Sequence, residues 1–277
     1  MNLNWYPGHM AKAERGILEI SRVADVIFEV LDARIPWSSR GDYHLRNKPC
    51  ILILNKSDLA DRTDTGCWLN FFNKNGFTAF AVDSKVNNSS KVISAVNKIF
   101  PKRTGRLLSV RKRFDCFRAV VIGTPNVGKS SFINSVLGRR KTKVENRAGV
   151  TSQNSWHRFG NIEICDTPGI LRHRLGPEVG ESIAFVGGIK SEIIDPELVA
   201  YSLVTRLKEL INEKYLGCLD LSLSAEEVIE NFGKLRNFIS PGKNVDIRLA
   251  ASVFLKSFQD GKFGKITLER VNKYGNT

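Results

Sequence analysis

Cysteine, histidine and methionine are scarce in this chain: five, four and two among 277 residues. The cysteines, at 50, 67, 116, 165 and 218, show no C-x-x-C spacing, and two fall in apolar runs that read as buried strands. That pattern excludes a disulfide framework or a thiolate metal centre and suits small core residues in a reducing compartment. No apolar run approaches the ~20 residues needed to span a bilayer, so no membrane partner is expected. The segment Trp5-Tyr-Pro-Gly-His9 starts too early to leave room for a signal or transit peptide, which points to the cytoplasm. Internal repeats and low-complexity tracts are missing. Acid is short as well: 28 Asp and Glu stand against 42 Lys and Arg, a net charge of +14. Such a balance favours a polyanionic partner, an RNA particle above all, over a merely solvated basic surface. The distribution supports the first reading. Lys102, Arg103, Arg106, Arg111, Lys112 and Arg113 occur with no acid in 101–113, and Arg139, Arg140, Lys141, Lys143 and Arg147 are interrupted only by Glu145.

What is present is a set of phosphate and base motifs. Ala119-Val-Val-Ile122 is an apolar run fit for a buried parallel strand, and Ser130–Leu137 continues as a helix stopped near Gly138. Between them lies Gly123-Thr-Pro-Asn-Val-Gly-Lys-Ser130. Its two glycines let successive N–H groups turn toward a phosphate, and the positive end of the following helix adds to that field. Lys129 is expected to reach the β- and γ-phosphates and act in catalysis, and Ser130 to ligate Mg²⁺. Asn126, Val127, Gly128 and Ser131 complete the expected nucleotide contacts of this loop.

A second motif follows the apolar run Pro49-Cys-Ile-Leu-Ile-Leu54. Asn55-Lys-Ser-Asp58 therefore sits at the carboxyl end of a strand, where open α/β sheets bind ligands. Asp58 can accept from N1–H and the 2-amino group of guanine; adenine offers neither donor. Asn55 is expected to tether this loop to the phosphate loop, and the stem of Lys56 to cover the base, with Ser57 between them. Asp83 and Ser84, after Phe77–Ala81, are the candidates for a loop facing guanine O6. A third strand-like stretch, Asn161–Cys165, delivers Asp166-Thr-Pro-Gly169. Asp166 is placed to hold Mg²⁺ and Gly169 N–H to meet the γ-phosphate. Thr151 lies between Ser130 and Asp166, where a switch threonine would complete the metal shell. Ile170 stands directly after Gly169, where Ras-type enzymes carry a water-orienting glutamine, so another group must supply that function.

The base motif precedes the phosphate loop, the reverse of the usual order in GTP-binding domains, which implies a circular permutation. On Trp5–Lys12, these three motifs and Gly261-Lys-Phe-Gly-Lys-Ile-Thr-Leu-Glu269, the chain resembles the permuted ribosome-biogenesis GTPase A (YlqF/RbgA) family over nearly its whole length. The resemblance implies a GTP- and GDP-binding factor acting late in assembly of the large ribosomal subunit and its rRNA, with hydrolysis stimulated by that particle. It offers His9 as a catalytic residue, against an RNA-contacting or packing role. It offers K⁺ as a second cation through Asn126.

Strand candidates at 23–31, 50–54, 77–82, 118–122, 155–159 and 162–165, alternating with helical stretches, give the α/β class: a mostly parallel sheet of about six strands, followed by an all-α C-terminal region. We expect residues 1–177 to form the permuted GTPase domain and 178–277 a helical domain contacting RNA. Residues 1–15 are expected to be a segment free to be repositioned. Asp195-Pro-Glu and Ser224-Ala-Glu-Glu227 mark helix starts, and a third helix is expected over 245–259. The alternative function is a passive RNA-binding assembly module with a structural nucleotide site. A tRNA-modification role finds no methyl- or folate-handling motif.

Overall fold

A nearly continuous apolar run, whose side chains alternate between the two faces of a strand, decides the layering. In β1 (Val26–Asp32), Val26, Phe28 and Val30 go to one face of the sheet and Ile27 and Leu31 to the other, and all are buried. Both faces must therefore be covered. The structure, a computed structural model, describes residues 8–41, 48–100, 117–138, 155–160, 162–171, 175–211, 213–240, 242 and 244–274. The basic runs at 101–113 and 139–147 lie outside those residues.

After β1 come β2 (Cys50–Asn55), α2 (Arg62–Lys74), β3 (Thr78–Ala81), α3 (Ser89–Ile99), β4 (Phe117–Ile122), α4 (Lys129–Leu137), β5 (Ser155–Phe159) and β6 (Ile162–Asp166). The six strands lie in the order β3-β2-β1-β4-β6-β5. Every neighbouring pair is parallel except β5 with β6. Parallel pairing puts the carboxyl ends of β1, β2, β4 and β6 on one edge; Asp32 is level with Asn55, and Val121 with Asp166. The motifs converge there whatever their order along the chain, which is why a permuted sequence can keep an intact site. α3 and α4 pack Val92, Val96, Phe132 and Val136 on one face. α2 packs Trp68 and Phe72 on the other.

That second face also takes α1 (Gly8–Arg22). Ile17 and Ile20 are buried against Ile27, Val120 and Ile122, with Ala13 packed beside them. Of the segment 1–15 expected to be free, the described part is helical from Gly8, and Ala13 packs on the sheet. A pinned helix cannot move as a whole without uncovering apolar surface on the sheet.

The C-terminal region is helical: α5 (Pro177–Phe185), α6 (Pro196–Leu210), α7 (Ala225–Leu235) and α8 (Ile247–Gln259). Asp195 caps α6 by accepting from Glu197 N at 3.0 Å. Ser224 and Glu227 form a reciprocal capping box at the start of α7. The helices enclose Val204, Ile229, Phe232 and Phe254, and the same core takes in Ile35 and Leu171 from the sheet side. Two features depart from an all-helical region. A two-stranded hairpin, β7 (Tyr215–Leu216) with β8 (Leu219–Asp220), follows α6. Beyond α8 the chain runs through turns and irregular backbone and returns to the sheet: Leu268 N donates to Arg34 O at 2.8 Å, and Trp68 Nε1 to Glu269 O at 2.9 Å.

Glu269 anchors that return. Its carboxylate accepts from Trp37 N (2.7 Å) and Ser38 N (3.2 Å) while buried. Burial pushes its pKa up to about 7 from 4.5, against the pull of those N–H donors. A carboxyl whose folded pKa is raised favours folding while protonated and loses that contribution as pH rises through the shifted value. Between pH 4.5 and 7 the chain should therefore lose stability at this site, by an upper figure of about 3 kcal/mol. Glu269→Gln should flatten that slope in denaturant unfolding measured across the interval; an unchanged slope would show that Glu269 stays ionised throughout.

Candidate functional site

The carboxyl edge of the sheet is lined with polar groups because each central strand ends where an apolar run meets a motif. Beyond β4, Gly123 (φ +153°) and Gly128 (φ +91°) adopt backbone that disfavours other residues. A Cβ on Gly123 would lie 2.4 Å from Val30 O, and one on Gly128 2.4 Å from Asn55 Nδ2. The loop is thus seated tightly on β1 and on the end of β2. α4 begins at Lys129, so its unpaired N–H groups face the loop. The Lys129 ammonium is buried and donates to Gly123 O (3.2 Å) and Thr124 O (3.1 Å). Burial pushes its pKa down to about 8, with Asp166 pulling the other way. Ser130 Oγ donates to Asp166 Oδ2 at 2.6 Å, while Asp166 Oδ1 is buried with no hydrogen-bond partner among the described residues. A hydroxyl and a carboxylate with one oxygen unsatisfied are hard oxygen donors of the kind that suits Mg²⁺. At Gly169 a Cβ would come within 2.8 Å of Lys129 Nζ and of Pro125 Cα, so the Asp166–Gly169 backbone presses on the phosphate loop. The cavity between these groups measures about 580 Å³.

A second cavity of about 780 Å³ adjoins it, with Asn126, Gly128 and Ser131 lining both. Asn55 joins the two: its Nδ2 donates to Val127 O (2.8 Å) and Gly128 O (3.3 Å), and its Oδ1 accepts from Ser84 Oγ (2.6 Å). Lys56, at φ +57°, donates to Asn126 O at 2.6 Å and pairs with Asp32 at 3.0 Å. Ser57 N donates to Val82 O, fixing the motif to the end of β3. Asp58 and Asp83 line the cavity. Asp58 pairs with the exposed Lys85 at 2.5 Å, and the Asp83 carboxylate accepts from Lys85 N.

Of the remaining expected residues, Thr151 lies outside the described residues. His9 falls in the first turn of α1, with its side chain outside them. Ile170 is buried in the cluster formed by α1 and the sheet, so its side chain is withdrawn from the cavity. Three groups escape motif reading. His157, on β5, lines the phosphate-side cavity. Lys256, Gln259 and Asp260, at the end of α8, line the base-side one. Asp32 pairs with Lys56 and with Arg34, and the signal was there in Asp32-Ala-Arg34, two charges at and just beyond the end of a buried strand.

Known proteins resemble this chain in sequence and in fold. Residues 118–213 match a family model described as "50S ribosome-binding GTPase". The ribosome biogenesis GTPase A of Bacillus cereus is 33% identical over 99% of this chain and 96% of its own length. That of Thermotoga maritima is 30% identical over 97% of this chain and 94% of its own. The crystal structure of GNP-bound YlqF from T. maritima superposes with a TM-score of 0.71 at 26% identity, covering 94% of this chain and 98% of that one.

Asn55→Ala should separate the two loops. It removes one acceptor and a shared donor from a buried junction, leaving the Val127 carbonyl unpaired, at a cost of about 2 kcal/mol. Urea unfolding of the ligand-free protein measures this, and an unmoved midpoint would mean the loops hold together without the side chain.

Proposed function

The chain belongs to the ribosome biogenesis GTPase A family, and from that premise we propose that it is a cytoplasmic factor that binds and hydrolyses GTP on the assembling large ribosomal subunit, with the particle and its rRNA accelerating hydrolysis. The observation that carries this reading is the Asn55 junction, which joins a guanine-type motif to a phosphate loop across two adjoining cavities.

In this reading Asp58 accepts from guanine N1–H and the 2-amino group. Lys85 leaves it at little cost, because an exposed pair contributes well under about 1 kcal/mol. Asp83 and Ser84 border guanine O6, and Lys56 covers the ring. Lys129 exchanges two loop carbonyls for β- and γ-phosphate oxygens, which also favours its charged form. Ser130 and Asp166 would hold Mg²⁺, with Thr151 as the third ligand. When bound, that ion supplies charge neutralisation between the β- and γ-phosphates. With Asn126 Nδ2 donated to Gly187 O, its Oδ1 is the oxygen available to K⁺. Since Ile170 is buried, positioning of the attacking water falls to another group, and we assign it to His9, whose imidazole can orient or deprotonate water near neutral pH. The helical region from residue 178 is assigned the RNA contact.

Asp58→Asn should weaken GTP binding and raise affinity for xanthosine triphosphate, whose 2-oxo group suits an amide donor. Each lost charge-assisted hydrogen bond is worth about 1.5–3 kcal/mol. Wild-type GTP affinity in the variant would remove Asp58 from base recognition.

Turnover of radiolabelled GTP tests the whole reading. Alone, the protein should hydrolyse on the order of 10⁻³–10⁻² s⁻¹, as unassisted GTPases do. Large-subunit particles should raise that by orders of magnitude, and His9→Ala should cut the stimulated rate by roughly 10²–10⁴-fold. Equal rates with and without particles would sink the assembly role, and full stimulated activity in the variant would sink the assignment of His9.

A further inference from the structure

The base-side cavity has two walls from distant parts of the chain. One is the motif edge of the sheet: Asn55, Asp58 and Ser84. The other is the last turn of α8 and its C-cap: Lys256 and Gln259, then Asp260. About two hundred residues separate them in sequence, yet the second wall is fixed rigidly to the first. Arg34, buried beneath the cavity, donates from Nη1 to Phe258 O (3.4 Å) and Gln259 O (3.1 Å), the terminal carbonyls of α8. Gly261, at φ +75°, brings the chain so close to Leu59 that a Cβ there would sit 2.7 Å from Leu59 Cδ2. The returning tail then grips the same stretch from behind, with Ile266 N donating to Leu59 O and Asp61 N to Thr267 Oγ1, each at 3.1 Å. Leu59 is the residue next to Asp58, so the tail and α8 set the position of the base-reading carboxylate.

The chemistry of this wall is polar. Lys256 Nζ pairs with Asp260 at 2.9 Å on an exposed surface, and so can turn to a ligand at little cost. The Gln259 amide packs over Gly187, with Nε2 3.4 Å from Phe185 O, a contact long enough to be exchanged for a better one. A guanine nucleoside lying between the walls presents ring nitrogens, a carbonyl and ribose hydroxyls, which amide and ammonium groups match.

We propose that the end of α8 is the second half of the guanosine site, with Lys256 and Gln259 contacting the nucleoside and the 261–269 tail positioning Asp58. This rests on the guanine-nucleotide reading above. Because the wall meets the nucleoside and not the phosphates, it acts alike in the diphosphate and triphosphate states.

The full-length protein is titrated with fluorescent mant-GDP and with a non-hydrolysable mant-GTP analogue. Replacing both residues, Lys256→Ala with Gln259→Ala, should weaken both ligands equally, by about tenfold for the loss of two hydrogen bonds, with the ligand-free melting temperature unchanged. Hydrogen exchange on the unaltered chain needs no variant: GDP should slow amides of residues 255–260 more than those of α7. Affinities within twofold of wild type, or exchange slowed at 123–131 but not at 255–260, would overturn the proposal. Absence of nucleotide binding by the wild-type chain would instead overturn the guanine-nucleotide reading itself.

Discussion

A single buried carboxylate holds the parts of this site together. Asp32, at the end of β1, has no solvent access. Burial alone would raise its pKa, but the Arg34 guanidinium and the Lys56 ammonium hold it well below the ordinary carboxylate range. Arg34 donates from Nε at 2.9 Å and Nη2 at 2.8 Å, and Lys56 lies 3.0 Å away. An unpaired charge at this depth would cost several kcal/mol, so both cations are bound to stay. Each cation then reaches onward. Arg34 takes the final carbonyls of α8, where positive charge also suits the helix dipole. Lys56 takes Asn126 O in the phosphate loop. The base motif, the phosphate loop and the C-terminal helix are thereby referred to one point.

The legible parts of the molecule are those where a short stretch contains its own explanation. Cys50–Leu54 is apolar without interruption and can only be a strand covered on both faces, so Asn55 had to emerge at its end. The same holds for Ala119–Ile122 and the phosphate loop, and for Ser224–Glu227, where the cap is written within four residues. The base-side wall and the tail were not legible, because Gln259 with Arg34, or Glu269 with Trp37, are partners more than two hundred residues apart and leave no local pattern. α1 is the intermediate case. Ala13, Ile17, Ile20 and Ala24 recur at helical spacing and pack on the sheet, yet residues 1–15, lying ahead of the first strand, read in sequence as a segment free to be repositioned.

The buried isoleucine after Gly169 gives the proposed switch its mechanical character. Thr167 Oγ1 donates to Val121 O at 2.7 Å, fixing the start of this segment to β4. Ile170 lies under α1 with Ile17 and Ile20, and Leu171 enters the helical core with Ile35 and Ile183. Between these anchors only Pro168 and Gly169 face the cavity. A glutamine at 170 would be drawn toward water; an isoleucine is drawn into the core, so the segment trades a catalytic side chain for two apolar attachments. Close-packed cores respond to displacement by stepping between packings and not by stretching. A change at Gly169 large enough to matter must then be felt in α1, which begins with the segment containing His9, and in the helical core. In the proposed switch, loss of the γ-phosphate would act on α1 through the packing of Ile170 and on the helical core through Leu171.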